Sequence, residues 1–457
     1  MSLLPLIAAT YFMVSGGPYG IEDILGGAGY GWAIAILLLL PVFWSLPTAL
    51  MIGELASAIP AEGGFYVWVR RAMGPFWGYQ ESWLSLAASI FDMALYPSIF
   101  VLYLGKFSPA LTAGGRAYLW SLAVVLLCSL WNLRGAPAVG NGSIGLFALL
   151  LAPFAIFVLI GFSRALLLHP HVQWTSAAGS PVAGIGAGTA FSTAVLVAMW
   201  NYMGWDNAST VAQEVENPQR NYPRAMVAAA ILTAITYILP LAAMALAGIS
   251  SQSFSTGDWA DAARQIGGAG FGGAALALAV VAGGCINGVG MFNALSMSYT
   301  RLPMVMAQDG LLPAALARRN RYGVPWVSIL LCAVAWALAV KLPFERLISI
   351  DLILYGSSLL LEFAALAILR IREPRLERPF QAGSFPFACL LGVGPALLIG
   401  YALWVSRGEK LVGTVSALAF AAAVGLLGLA LYWLTVIVQK TMRAAASSEV
   451  APVITED

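Results

Sequence analysis

Twelve stretches of the chain are apolar for the length of a bilayer crossing. They fall near residues 4–28, 32–56, 76–104, 117–133, 142–162, 186–214, 225–248, 271–298, 325–341, 345–369, 386–406 and 412–438. A spanning helix needs about 20 such residues, fewer if it is broken and more if it is tilted. In lipid every backbone polar group must be satisfied internally, so runs of this kind are helical. An all-α polytopic membrane protein of twelve transmembrane helices is therefore expected. Composition agrees: of 457 residues 60% are hydrophobic and 10% charged, against about 25% charged in a soluble domain. A soluble core of this size has no room for that much apolar side chain.

Several function classes fall away. A net charge of +2 gives no grip for nucleic acid. The four cysteines (Cys128, Cys285, Cys332, Cys389) show no ligand spacing and read as small hydrophobes. The two histidines, His169 and His171, share one outer connection, so neither a metal site nor a nucleophile–histidine arrangement is expected. The chain reads as a non-enzyme without cofactors, and no partner subunit is signalled. The first apolar run has no basic flank or cleavage signal before it and is expected to remain as a helix.

Basic residues orient the spans. With the N-terminus in the cytoplasm, 15 Lys and Arg fall in inner connections and 8 in outer ones, the bias of the positive-inside rule. Both termini are thus expected on the cytoplasmic side of the cell membrane. The polar end of the chain, 441–457, is expected to be a disordered cytoplasmic tail.

Two spans are interrupted. Span 1 meets Ser15-Gly16-Gly17-Pro18-Tyr19-Gly20-Ile21-Glu22-Asp23, and span 6 meets Trp200-Asn201-Tyr202-Met203-Gly204-Trp205-Asp206-Asn207. Glycines and a proline at this density cannot sustain a helix. The breaks align as Gly20-Ile21-Glu22-Asp23 over Gly204-Trp205-Asp206-Asn207, and they open positions 1 and 6, as in two five-helix repeats. The expected division is a core of 1–374, with repeats of approximately 1–165 and 186–374, followed by helices 11 and 12 over 375–440. Paired interrupted segments point to a transporter's central site.

The apolar spans also carry acids: Glu22, Asp23, Asp92, Asp206, Asp351 and Glu362, with Glu54 and Glu81 near helix ends. Ionisable groups at such depth are functional candidates, and an excess of negative charge there needs a proton or a cationic ligand. Acids at the start of each second half-helix occupy the place where a bare helix N-terminus would bind an anion, so the breaks favour amines. The same acids also suit simple capping, for Asp23 above all. Asp92 and Tyr96 lie one turn apart, as do Asp351 and Tyr355. Trp200, Tyr202, Trp205 and Tyr19 offer cation–π walls or plain packing.

The stretches GELASAIPAEGGFYVWVRRAMGPFWGYQESW (53–83), WDNASTVAQEVENPQRNYPRA (205–225) and RLPMVMAQDGLLPAALARRNRYGVP (301–325) resemble the amino acid–polyamine–organocation superfamily over nearly the whole chain. SGGPYGIED, FDMALYPSIF and WNYMGWDNAST are most similar to its polyamine-uptake branch, near the L-type amino-acid carriers. The resemblance implies a LeuT-like 5+5 inverted repeat with discontinuous helices 1 and 6 plus two further helices, alternating access, and a midplane site. The site it implies takes Gly16, Gly17, Tyr19 and Glu22 from helix 1, Asp92 and Tyr96 from helix 3, and Trp200, Tyr202, Trp205 and Asp206 from helix 6. Tyr355 joins them from its pairing with Asp351. Glu22, Asp92 and Asp206 are candidates for proton coupling. The reading is a secondary transporter of amino acids or polyamines that prefers cationic amines. A neutral L-amino-acid symporter or exchanger is the alternative, and a channel, for which no filter-like loop is present, is weaker.

Overall fold

The computed structural model describes residues 1–168, 190–252, 254–341, 347–408, 410–412 and 415–449. His169, His171 and the start of the sixth apolar run lie outside them. Helices α1 (Leu3–Val14), α2 (Glu22–Phe43) and α3 (Ser45–Ala58) flank and follow the first break. A short α4 (Phe65–Met73) leads into the long α5 (Pro75–Phe107), then α6 (Pro109–Thr112), α7 (Arg116–Asn132) and α8 (Ala136–Leu168). After α9 (Ala190–Asn201) come the second break, two 3-10 turns (Asp206–Thr210 and Ala212–Glu214) and α10 (Pro218–Leu246). The rest comprises α11 (Trp259–Gly267), α12 (Phe271–Tyr299), α13 (Arg301–Gln308), α14 (Trp326–Ala339), α15 (Leu347–Arg372), α16 (Phe385–Leu391), α17 (Val393–Ser406) and α18 (Ala417–Glu449). Between α17 and α18, Lys410–Val412 and Val415–Ser416 pair as a small antiparallel ribbon.

Among the described residues, eight helical segments are long and apolar enough to cross a membrane, with shorter apolar helices at α1, α7 and α14. The molecule is a multi-pass membrane protein. Local sequence sets several boundaries. Pro75 and Pro218 stand at the first turns of α5 and α10, where the missing N–H is not needed. Gly29, at φ 70° and ψ 172°, divides α2 into a half-helix Glu22–Ala28 and the next span, close to the boundary the apolar pattern gives. The last helix runs to Glu449, past the point at which a disordered tail is expected to begin.

Burial separates centre from rim. In the most apolar stretch of α5 72% of residues are buried and in that of α15 67%, against 11% for α18. Hence α5 and α15 form the middle of the bundle, with α12 packed along α5, and α18 turns most of its apolar surface outward. Leu166 and Leu167 on α8 are exposed in the same way, as lipid-facing side chains are.

Two basic residues of the connections are buried rather than solvated. Arg301 pairs with Glu214, and Arg370 pairs with Glu54, which also meets Arg378 at 3.3 Å and the Ala382 N–H at 2.8 Å. Glu54 therefore ties α3 to the end of α15. A buried carboxylate so fully partnered is part of the framework.

Candidate functional site

The first break keeps its extended turns because Gly17 and Gly20 adopt φ of 76° and 93°, a region closed to most side chains. The Gly20 N–H donates to Glu22 Oε2 at 2.5 Å, and the Tyr103 hydroxyl donates to Glu22 Oε1 at 2.6 Å. The Gly257 N–H adds a third donor at 3.2 Å. Glu22 thus occupies with its own carboxylate one amide of the break, that of Gly20, and one of the connection before α11, that of Gly257. Asp23 accepts from both the N–H and the hydroxyl of Thr256, tying α2 to the connection before α11 rather than capping its own helix. The Tyr19 hydroxyl donates to the Val280 carbonyl, and its ring meets Tyr103 edge-on at 4.9 Å.

The second break lies against the first. Asn201 donates to the Gly20 carbonyl at 3.0 Å. A Cβ added to Gly204 would come within 2.3 Å of the Met13 carbonyl oxygen, at the open end of α1. Here the expected symmetry is incomplete. Asp206 opens a five-residue 3-10 turn, not a second α-half-helix, so little helix dipole is available to it. Its Oδ1 instead accepts the Tyr355 hydroxyl at 2.6 Å, and that same oxygen of Tyr355 accepts the Gly204 N–H at 3.0 Å.

Asp92 is the other pole. Its Oδ1 accepts the Tyr96 hydroxyl at 2.5 Å and its Oδ2 the Tyr299 hydroxyl at 3.4 Å. Tyr96 stacks on Trp200, with ring centroids 6.4 Å apart and planes 21° from parallel. Trp200 also borders Gly20, whose added Cβ would lie 3.2 Å from it. One indole therefore sits between the Glu22 centre and the Asp92 centre.

Asp206 and Asp92 lie within electrostatic range of each other and of Asp351. Asp351 is fully buried and neither of its oxygens has a hydrogen-bond partner. Among the described residues no ion pair reaches Glu22, Asp92, Asp206 or Asp351. A burial of like charges on this scale is untenable without protons or a cation. The structure thus gathers Glu22, Asp92, Tyr96, Trp200, Asp206 and Tyr355. Tyr202 and Trp205 are placed differently. The Tyr202 hydroxyl donates to the Leu37 carbonyl, and the Trp205 indole N–H donates to the Tyr202 carbonyl. Both brace the break instead of presenting polar atoms to the carboxylates.

Three side chains escape the sequence pattern. Tyr103 and Tyr299 hold Glu22 and Asp92, and the sequence distinguishes neither from other membrane tyrosines. Asn287 on α12 is buried beside Gly16, with neither its Oδ1 nor its Nδ2 partnered. An amide in an apolar span was a usable signal for it. Gly16 is essential to that approach, since a Cβ there would fall 1.6 Å from Asn287 Oδ1.

A family model described as amino acid permease matches residues 7–429. The polyamine transporter PUT1 of Oryza sativa subsp. japonica is 34% identical over 431 residues, covering 92% of this chain and 76% of its own. The probable polyamine transporter At1g31830 of Arabidopsis thaliana is 35% identical over 83% of this chain and 74% of its own. The Arabidopsis polyamine transporter RMV1 is 33% identical over 88% and 79%. With paired helix breaks, a buried acidic centre and these matches along most of its length, the chain belongs to the amino acid permease family of the amino acid–polyamine–organocation superfamily.

Proposed function

We propose that this permease carries cationic amines, polyamines foremost, across the cell membrane by alternating access. The observation that carries the proposal is the group Asp92, Asp206 and Asp351: buried, in mutual range and without a basic partner, beside the stacked Trp200 and Tyr96. Ammonium groups would complete the charge there, and the two rings would cover the alkyl chain. That relatives are named polyamine transporters supports the same cargo. A dication gains about 4.6 kcal/mol from 100 mV of membrane potential, so accumulation needs no coupling ion.

The architecture proposed with it is a twelve-span, LeuT-like pair of inverted repeats, 1–165 and 186–374, followed by helices 11 and 12 within 375–440. Both termini would face the cytoplasm. The contact of the two breaks at Asn201–Gly20 and Gly204–Met13 supports this arrangement, because rocking of one bundle against the other would turn on that crossing. Gly16 and Gly17 would let cargo approach the backbone, with Tyr19 and Tyr103 behind Glu22.

Asn287 favours a second reading, a neutral L-amino-acid symporter or exchanger, since an unpartnered amide beside Gly16 suits a zwitterion. Uptake of labelled putrescine, arginine and leucine into proteoliposomes separates the two. Putrescine uptake abolished by Asp206→Asn is expected. Strong leucine uptake that amines do not inhibit would overturn the cationic reading.

A further inference from the structure

The lipid-facing surface carries one groove unlike its neighbours. Grooves between α8 and α10 and between α7 and α14 are lined almost wholly by apolar side chains, and any acyl chain fills them. Another, between α5, the start of α7 and the end of α14, encloses about 570 Å³, and its lining includes Ser98, Leu102, Tyr118, Ser121, Val340 and Lys341. It runs from the bilayer surface into the hydrocarbon. Lys341 stands two residues beyond the end of α14, and Tyr118 two residues inside the start of α7, the depth at which lysine and tyrosine anchor spans. Ser98 lies deeper, nine residues or about 14 Å of helical rise from the end of α5.

The polar groups of the groove differ in what they need. The Ser98 and Ser121 hydroxyls donate to the Ala94 and Ala117 carbonyls of their own helices, at 2.9 and 3.1 Å. The Tyr118 hydroxyl donates to the Ala337 carbonyl at 3.3 Å. None of the three requires a polar ligand, so an acyl chain can lie against them. Lys341 is different. Its ammonium sits 5.0 Å from the centroid of the Tyr118 ring, and among the described residues it pairs with no acid. Lys106, at the same end of the bundle, is held by Asp258 at 3.3 Å and Asp261 at 3.9 Å. A ring face attracts a cation without neutralising it. The groove therefore offers one uncompensated positive charge at its mouth, above a slot whose walls are already satisfied. Snorkelling accounts for a lysine at a helix end, but not for the cavity beneath it. The complementary ligand has an anion above and hydrocarbon below.

We propose that this groove binds one phospholipid, with its phosphate on Lys341 and an acyl chain along Leu102 and Ser98. The inference is independent of which cargo is carried. A single side chain connects the groove to the centre. Leu102 also packs on Gly257, where an added Cβ would lie 2.7 Å from its Cδ2. The Gly257 N–H in turn donates to Glu22 at 3.2 Å. A lipid seated against Leu102 thus braces the connection before α11 over the first break. Because it binds the folded chain, it also raises the unfolding temperature by mass action.

The test is native mass spectrometry of the full chain in detergent, titrated with dioleoylphosphatidylglycerol, dioleoylglycerol or glycerol 3-phosphate. Wild type is expected to retain one phosphatidylglycerol. Dioleoylglycerol and glycerol 3-phosphate should each bind at least tenfold more weakly, since one lacks the anion and the other the chains. Lys341 is exposed, so its replacement leaves the fold intact. Lys341→Gln should weaken phosphatidylglycerol at least tenfold and abolish the rise in unfolding temperature that the lipid gives wild type. Lys341→Arg keeps the charge and should stay within threefold. Ser98→Phe, which fills the slot from α5, should weaken the lipid with Lys341 in place. Equal affinity of wild type and Lys341→Gln for the lipid overturns the proposal. Dioleoylglycerol binding as tightly as phosphatidylglycerol reduces the groove to a hydrocarbon slot, and glycerol 3-phosphate binding as tightly makes it a soluble-anion site. Either result also overturns it.

Discussion

Tyr355 and Asp206 are joined across the second helix break by a hydroxyl that works in both directions. It donates to the Asp206 carboxylate at 2.6 Å and accepts the Gly204 N–H at 3.0 Å. The break and the acid are thereby held by one side chain from α15. Tyr355→Phe removes both bonds without changing the ring. Hydrogen bonds to charged groups contribute about 1.5–3 kcal/mol, so the KM for putrescine should rise about 10- to 100-fold. Concentration-dependent uptake checks this, and an unchanged KM would show that Asp206 is not a cargo ligand.

Trp200 and Tyr202 stand two residues apart and have different surroundings. Trp200 stacks on Tyr96 between two acidic centres, whereas Tyr202 bonds the Leu37 carbonyl and packs on Tyr237. Trp200→Ala should therefore raise the KM for amines at least tenfold with little change for a competing neutral amino acid. Tyr202→Phe should leave KM within twofold and cost about 1 kcal/mol of stability from the lost hydrogen bond. Equal effects of the two on KM would contradict the assignment.

Gly204 is fixed by two independent constraints. Its φ of 91° is strained for any side chain, and a Cβ would press to 2.3 Å from the Met13 carbonyl oxygen. Backbone cannot yield as a flexible side chain can, so Gly204→Ala should pull the two breaks apart. Uptake is expected to fall to background even where the protein still reaches the membrane. Gly425→Ala is the control, because a Cβ there meets nothing within 4 Å.

What the sequence made legible divides along physical lines. Spans and breaks are local properties, so the glycines around Gly20 and Gly204 were sufficient to place the interruptions, whereas the apolar pattern began its seventh span near 225 although α10 starts at Pro218, in a polar stretch. Acids in apolar runs were equally plain. Which acid is partnered depends on distant chain: Glu54 meets Arg370 and Arg378 from over three hundred residues away, and nothing near Glu54 announces them. The same holds for Tyr103 on Glu22 and Tyr299 on Asp92. The 3-10 turn at Asp206 was also hidden, because Asp-Asn-Ala-Ser-Thr permits a half-helix and a tighter turn alike. Only the packing of the second break on α1 decides between them.

Glu54 supplies the clearest contrast with the acids of the centre. It is fully buried, as Glu362 is, yet two arginines and a backbone amide surround it. Glu54→Gln removes one charge and leaves Arg370 and Arg378 facing a neutral amide, and breaking a buried pair in this way costs about 3–5 kcal/mol. The variant should unfold at a markedly lower temperature in detergent than wild type. Replacing Arg370 as well should not restore the loss, because Arg378 would still face a neutral amide. Arg370→Met alone, which keeps the Glu54–Arg378 contact, should therefore be milder than Glu54→Gln. Thermal unfolding of the two variants measures the difference. A Glu54→Gln protein as stable as wild type, or one that keeps its fold and loses only transport, would move Glu54 from the framework into the site.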